Sequence, residues 1–513
     1  MTGGLFAERR GLLAFVFGSA CVAVGVALHL PMFIASAPMH YRMAGMPMDS
    51  EMLAGMAAIL GGLMIAAYGL LPVGETRIAS DAHAIVVAAP EDAALGPAHW
   101  RLMTVLVVAL TIDVMKPATL GFTMNGMSDE YGVSPATAAM VPFSAIAGTV
   151  AGSVVWGAIA DLYGRKASIL LSAVMFVGTA ICGAMPSLNW NIAMCFLMGL
   201  AAGGMLPVTY ALLAETMPMR HRGWALVLVG GLGALGGYVA ASGASALLQP
   251  LFGWRILWLL NLPTGLLLVG LGALFPESPA FLISRGRRHE AYRIMQMFGA
   301  HAEAERKSPA GTAREATFPK SMTGTLMALS LAALVWGLIN FGLILWLPGD
   351  LVARGYRVEM ASALLARSAL IGLPMVFITA ALYSFWSTKR TVAAMMTLTA
   401  LGLGAVLWLA STGGNPVAPV ALLILGSNGV IASLLPYTAE CFPLRVRARA
   451  TGWVAACSKG GGLVAQLLGI LALEPQLDDA ALLMLVPTAL ALTLILRFGR
   501  ETRGSDLRSL ESG

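Results

Sequence analysis

Ionisable side chains inside apolar stretches are the first residues in this chain whose types and spacing could do chemistry. Asp113 lies about halfway along one such stretch, Lys116 follows three residues later, and Pro117 comes next. Arg367 and Lys459 stand in later apolar stretches. A charge at mid-membrane costs at least about 2.5–3.5 kcal/mol on insertion scales, so each needs a reason. At i and i+3, Asp113 and Lys116 share a helix face and come within reach of each other. Pro117 removes a backbone donor and predicts a kink. Two readings fit the trio. The pair either compensates itself and kinks the helix, or it is an ion-coupling site. In the second, a carboxylate in a dry site gains affinity for protons and a nearby cation lowers it again, so protons can be taken up and released. Arg367 or Lys459 can equally satisfy itself on backbone carbonyls. Asn340, Asn428 and Asn261 also lie in apolar segments, where an amide hydrogen-bonds a solute or bridges two helices. Tyr210, Trp336, Trp346 and Tyr437 offer aromatic surface, or interface anchors when near helix ends.

The elements that must position these residues are membrane helices. Of 513 residues, 58% are hydrophobic and only 11% charged, and mean hydropathy is +0.79. A soluble protein carries roughly 25% charged residues. The net charge of +6 sits in short loops between apolar runs, which points to membrane orientation and not to nucleic acid. The five cysteines, Cys21, Cys182, Cys195, Cys441 and Cys457, lie in or beside apolar segments without CxxC spacing, so they read as packing residues. The first apolar segment reads as an anchor, not a cleaved signal. No His cluster, nucleophile elbow or phosphate loop is present, so an enzyme is not expected.

Helices of about 20 apolar residues can be placed fourteen times. The expected organisation is a two-helix hairpin at 1–72, a cytoplasmic linker at 73–100, six helices in 101–275, a cytoplasmic loop at 276–325, six helices in 326–497 and a cytoplasmic tail at 498–513. Within the central loop, Glu290–Phe298 predicts a short amphipathic helix at the membrane surface. The sequence AETMPMRHR (Ala214–Arg222) recurs as AECFPLRVR (Ala439–Arg447), with the glutamates 225 residues apart (440 − 215). Each copy ends an apolar segment and begins a basic loop, as in a duplicated bundle. Basic loops alternate with loops that hold few Lys or Arg, which places both termini and the central loop in the cytoplasm.

The loop segment GAIADLYGRK (Gly157–Lys166) resembles the G-x-x-x-D-x-x-G-R-[RK] motif of the major facilitator superfamily. The two AExxPxRxR copies resemble sequences that sugar porters and related metabolite:proton symporters carry after their fourth and tenth helices. PESPAFLISRGR (Pro276–Arg287) resembles their sequence after the sixth helix, with Ala280 where Arg is usual. The second-half loop, FWSTKR (Phe385–Arg390), keeps basic residues but lacks the Asp and Gly. The resemblance covers roughly Arg101–Arg503. It implies an all-α membrane protein of two six-helix bundles around a central cavity, plus two N-terminal helices, working by alternating access. It also implies a cytoplasmic gate of charge networks: Asp161, Arg165, Glu215 and Arg222, joined by Glu277, in the first half, and Glu440, Arg390 and Arg447 in the second. The alternative is that these charges only position loops. In that fold Asp113, Lys116, Asn340, Arg367, Asn428 and Lys459 would belong to the proton-coupling and substrate cavity. Relatives pair the acid of the first helix with an arginine of the fourth. None occurs in Ile192–Leu213, so Lys116 is the substitute. Three positive charges against one negative favour an anion such as an organic or aromatic acid.

The loop of the N-terminal hairpin holds Met39, His40, Met43, Met46 and Met48, with His29 before it and Met52 after it. Thioether and imidazole ligands suit Cu(I); the other reading is an apolar cap. The expected function is secondary active transport of a small organic solute across the inner membrane, with a proton as coupling ion and no cofactor. The expected partners are the solute and the lipid bilayer, without nucleic acid; a monomer is expected, with an oligomer left open. The alternatives are a sugar, metabolite or drug exporter of the same fold, and a non-transporting nutrient or copper sensor.

Overall fold

The computed structural model describes residues 9–71, 85–88, 94–299, 301–304, 322–412, 414–442, 444–473 and 475–503. Among them, thirteen helices are long and apolar enough to cross a bilayer: α1 (Arg9–Ala35), α2 (Ser50–Leu70), α3 (Pro97–Tyr131), α4 (Pro135–Tyr163), α5 (Arg165–Ala184), α6 (Leu188–Thr216), α7 (Arg220–Phe252), α8 (Ile256–Leu274), α9 (Thr323–Ala353), α10 (Val358–Phe385), α11 (Thr388–Leu409), α12 (Val417–Cys441) and α14 (Leu477–Phe498). Between the last two lies α13 (Leu444–Ile470). It has the length, but Lys459, Gln466 and its glycines make it less apolar. The fourteen expected helices are therefore present in an all-α, multi-pass membrane protein. Only helices and closed barrels satisfy every backbone group inside lipid.

The helix ends follow from local chemistry. Asp49 caps α2 by accepting the Met52 N–H at 2.7 Å. Asp478 and Asp479 open α14 and Arg497 closes it, each complementing the helix dipole. One short two-stranded ribbon departs from the all-helical expectation: β1 (Ile85–Ala88) pairs antiparallel with β2 (His301–Ala304). Most of the expected linker, and Arg306 and Lys307 of the central loop, lie outside the described residues. The short amphipathic helix expected at Glu290–Phe298 is present as Arg288–Met297, and its apolar face buries Ala291 and Met295 against Leu282 and Ile283.

The helices of the hairpin pack through glycines. Gly11, Gly18 and Gly25 of α1 recur every seven residues, as do Gly55, Gly62 and Gly69 of α2. Antiparallel pairing sets them face to face. A Cβ on Gly18 would lie 2.5 Å from the Gly62 carbonyl, one on Gly25 2.6 Å from the Gly55 carbonyl, and one on Gly69 2.5 Å from the Gly11 carbonyl. Small residues at this period let two backbones touch. The hairpin is part of a larger apolar cluster, with Val22, Val26, Met43, Met52 and Ala66 buried alongside Val174, Val177 and Ile181 of α5.

The chain divides into two compact units. The first comprises Met1–Lys116, Ala147–Arg222 and Leu251–Gly311; the second comprises Pro117–Ile146, Gly223–Pro250 and Thr312–Gly513. The division cuts α3 between Lys116 and Pro117, inside a helix that runs unbroken from Pro97 to Tyr131. Within the second unit, Gly121 of α3 leaves room for the Leu345 carbonyl, which a Cβ would approach to 2.6 Å. Gln249 donates to the Phe122 carbonyl and to Ser245 Oγ, both at 2.9 Å. Ser245 in turn lies 2.8 Å from Ser362 Oγ.

Candidate functional site

In the first unit, α3 carries both expected coupling residues. Asp113 is 6% exposed and Lys116 is fully enclosed. Spacing aimed Lys116 at Asp113, but the structure gives the ammonium two oxygen partners on α5. Its Nζ donates to the Phe176 carbonyl at 2.8 Å and to Thr179 Oγ1 at 2.9 Å, and it lies over the Phe176 ring. The partners exist because α5 tightens from α to 3₁₀ geometry at Thr179, and carbonyls of a closing α turn are open to other donors. Lys116 therefore fastens α3 to α5. Cys182 and Cys195 are also fully enclosed in this unit.

The other four expected cavity residues belong to the second unit. Asn340 lies half-buried in a π-turn, Ile339–Leu343, within α9. Such turns leave a carbonyl without its helical partner. Here Gln466 of α13 donates its side-chain N–H to the Phe341 carbonyl. Trp336 packs edge-on against Phe341, with ring centroids 5.7 Å apart, and donates Nε1–H to the Ser427 carbonyl at 2.9 Å. Asn428 of α12 is half-buried and donates to the Ile424 carbonyl at 2.9 Å. It lines a small cleft together with residues of α7 and α10. Lys459 is half-buried on α13. Arg367 is exposed on α10, on a face shared with exposed Met360 and Ile371, while Ser362, Leu365 and Ser368 form the buried face. The helix phase turns it away from the packed side. Asn261 is buried on α8 in the first unit.

The loop ends hold two polar clusters, one per unit. In the first, Arg165 Nη2 lies 3.2 Å from Glu215 Oε1, and its Nη1 lies 3.6 Å from Asp161. Glu277 is the centre of this cluster, not an accessory. Its Oε1 accepts the backbone N–H of Arg165 at 2.8 Å, of Ser278 at 2.9 Å and of Lys166 at 3.4 Å, which places a carboxylate at the N-terminus of α5. Ser278 Oγ donates to Glu215 Oε2. Gly164 makes this approach feasible: its φ is +103°, and a Cβ there would lie 2.8 Å from Glu277 Cδ. Burial pushes the Glu277 carboxyl above its usual range, against the opposing pull of the three N–H groups and Arg165. Arg222 lies in the first turn of α7, half-buried.

The second cluster repeats the first with residues that the sequence reading passed over. Glu501 Oε1 accepts the Thr388 N–H at 3.0 Å and the Thr388 hydroxyl at 2.8 Å, and its Oε2 accepts from Ser387 Oγ. Thr502 Oγ1 donates to Glu440 Oε2 at 2.6 Å. Glu501, Thr502 and Glu440 thus stand where Glu277, Ser278 and Glu215 stand in the first half. The glutamates are 224 apart (501 − 277) and the N-terminal helix residues 223 apart (388 − 165). Lys166 and Lys389 match as well, donating to the Ala273 and Leu496 carbonyls at 3.4 and 2.7 Å. Burial raises the Glu501 carboxyl first, but the hydrogen bonds from Ser387, Thr388 and the Arg503 N–H outweigh it and hold it below its usual range. Of the network expected from Glu440, Arg390 and Arg447, no Arg390–Glu440 ion pair is formed among the described residues. The residue matching Arg165 is Thr388, so no guanidinium opens α11; the Arg390 guanidinium lies 5.9 Å from the Trp386 ring, and its N–H bonds Ser387 Oγ at 3.0 Å. The Arg447 side chain lies outside those described. The described part of the tail joins this cluster, with Tyr437 donating to the Arg500 carbonyl at 2.6 Å.

The methionine loop of the hairpin is packed. Met43 and Met52 are fully buried, and Met46 and Met48 lie against the same cluster; Met39 and His40 are exposed. This arrangement fits the apolar cap. His29 Nδ1 lies 2.8 Å from the Gly25 carbonyl.

A family model described as Major Facilitator Superfamily matches residues 105–466, beginning after the hairpin. The chain is 28% identical over 433 residues to the niacin transporter NiaP of Acinetobacter baylyi, covering 82% of this chain and 98% of that protein. It is 28% identical over 454 residues to the 4-hydroxybenzoate transporter PcaK of Pseudomonas aeruginosa, covering 82% and 96%. Among solved structures it is similar to the xylose transporter XylE from E. coli in a partially occluded inward-open conformation, with a TM-score of 0.64 at 15% identity, covering 80% of this chain and all of that one.

Proposed function

The chain belongs to the major facilitator superfamily, and we propose that it carries a small ring-bearing organic acid across the inner membrane by alternating access, driven by protons. The observation that carries the substrate class is the near-complete alignment with two transporters named for ring monocarboxylates, niacin and 4-hydroxybenzoate. Asp113 supports the coupling ion. It is a buried carboxyl on a membrane helix, a group that can take up and release a proton, and the neutral form of a carboxyl crosses a dry intermediate at lower cost than the charged one. Lys116 serves the scaffold: its carbonyl and hydroxyl partners on α5 fix the orientation of the helix that bears Asp113.

The two polar clusters act as cytoplasmic clasps. Each ties the start of one helix to the residues after the last helix of its bundle, through one central carboxylate. The Arg165–Glu215 and Asp161 contacts give the first clasp full charges, whereas the second works with Thr388 and Thr502. Hydrogen bonds and ion pairs at helix ends are a common means of holding one of two packed arrangements. Direct evidence for the substrate class comes from a thermal-shift series on purified protein. Nicotinate, benzoate and 4-hydroxybenzoate raise Tm, and neutral sugars do not; a ligand at a hundredfold its Kd adds about 2.7 kcal/mol. Stabilisation by sugars alone would overturn the reading.

A further inference from the structure

The methionine cap at the tip of the hairpin encloses one polar atom that apolar packing does not explain. His29 is fully buried. Its Nδ1 lies 2.8 Å from the Gly25 carbonyl, which can only accept, so Nδ1 carries the proton and Nε2 presents a bare lone pair. Nε2 is buried without a hydrogen-bond partner among the described residues. A ring N–H given to a backbone carbonyl, with the other nitrogen open, is the form in which a histidine binds a metal. Its surroundings are thioethers. A Cβ on Gly55 would lie 2.7 Å from His29 Cε1, the atom bonded to Nε2, and Met52 stands one turn before Gly55 on the same face of α2. Met52 and Met43 are fully enclosed in the same cluster as Met32, with Met46 and Met48 packed against it. Met43 reaches the cluster through strained backbone: His40 and Tyr41 hold φ of +55° and +60°, which residues other than glycine keep only where their surroundings enforce it. Here Tyr41 stacks on Phe33, with ring centroids 4.8 Å apart, and the Gly45 N–H donates to the Pro186 carbonyl at 3.0 Å.

We propose that this tip is a Cu(I) site, with His29 Nε2 and the thioethers of Met52 and Met43 as its ligands. Soft thioethers beside an imidazole select Cu(I) over harder ions. Among the described residues no group of three His, Cys, Asp or Glu side chains could hold a metal, which leaves a zinc, calcium or magnesium ion without its ligand set. Neutral ligands also suit a monovalent ion, whose single charge is opposed by Asp49, close enough for its field to act on the His29 ring. A series of the same donors leads inward, with Met39 and His40 exposed, Met46 and Met48 half-buried, and Met43, Met52 and His29 enclosed. The bound ion joins α1, the loop and α2 at one point. Occupancy of the site does not depend on which solute is carried.

Titration of full-length protein with Cu(I), kept reduced, against a chromogenic Cu(I) chelator tests the assignment, with Ag(I) as a probe that does not cycle redox state. The wild-type protein should take up one equivalent of either ion, loading should raise Tm by mass action, and X-ray absorption of the Cu(I) form should show nitrogen and sulfur together around the metal. Met52→Leu and Met43→Leu nearly conserve volume and so preserve the packing. Each should weaken Cu(I) by more than the roughly 10–100-fold that loss of an outer-shell partner costs, and His29→Leu should remove the nitrogen from the absorption signature. The exposed pair changed together, Met39→Leu with His40→Gln, should leave the affinity unaltered. No uptake by the wild-type protein, a metal environment lacking either nitrogen or sulfur, or undiminished affinity in Met52→Leu would overturn the proposal. So would loss of binding in the exposed double variant, which would mean adventitious capture at the surface of the loop.

Discussion

Glu277 and Glu501 show how a single carboxylate can tie a helix start to a distant chain end. Their surroundings set opposite pH responses. Glu277 has a raised carboxyl, so its contribution to stability is fully present below the usual carboxylate value and is lost as pH rises through the raised one. Glu501 has a lowered carboxyl, so its contribution is present above the usual value and is lost as pH falls through the lowered one. Acidification below the ordinary carboxylate range should therefore open the second clasp first. Hydrogen exchange at the Thr388 and Lys389 amides should speed up over that window, and Glu501→Gln should remove the pH dependence; a flat profile in the wild type contradicts the assignment. Gly164 tests the first clasp. Gly164→Ala forces a non-glycine residue to φ +103° and a Cβ into Glu277, at about 1–3 kcal/mol. The expected result is a lower Tm with faster exchange at Arg165 and Lys166, and an unchanged Tm would refute it.

At the scale of elements, the hairpin and α9 are the informative cases. The glycine faces of α1 and α2 leave no room for a side chain, so Gly62→Val should separate the two helices at a cost of about 1–3 kcal/mol, read as a fall in Tm; a variant as stable as the wild type would mean that the helices do not pack through this face. The π-turn of α9 depends on Gln466. Gln466→Leu leaves the Phe341 carbonyl without its donor and should destabilise by about 1–3 kcal/mol, again measured by thermal unfolding. The long elements were legible in the sequence because lipid demands runs of apolar residues, and the Ala-Glu repeat marked the duplication directly. Other features left a signal that charge and motif alone did not raise. Glu-Ser at 277–278 and Glu-Thr at 501–502 recur at almost the spacing of the larger repeat, and the glycine heptads of the hairpin are plain once aligned antiparallel. The partners of Lys116 had no sequence signal: one is a backbone carbonyl, which every residue has, the other a threonine hydroxyl, and they lie 60 and 63 positions away. Nor could helical periodicity tell which face of α10 holds Arg367, since exposed Met360 and Ile371 are more apolar than the buried Ser362 and Ser368 opposite.

For the whole molecule, the account divides the labour. Hairpin, clasps and the Lys116 anchor are structural, and Asp113 is the one group assigned to energy coupling. Asp113→Asn should abolish accumulation against a gradient while exchange of solute across the membrane persists, because a permanently neutral side chain can cross but cannot carry a proton. The most direct measurement is uptake of labelled nicotinate and 4-hydroxybenzoate by proteoliposomes holding the purified protein, with an imposed pH gradient. The account predicts accumulation above equilibrium that an uncoupler collapses and that Asp113→Asn lacks. Equal uptake with and without the gradient, or undiminished accumulation in Asp113→Asn, would contradict it.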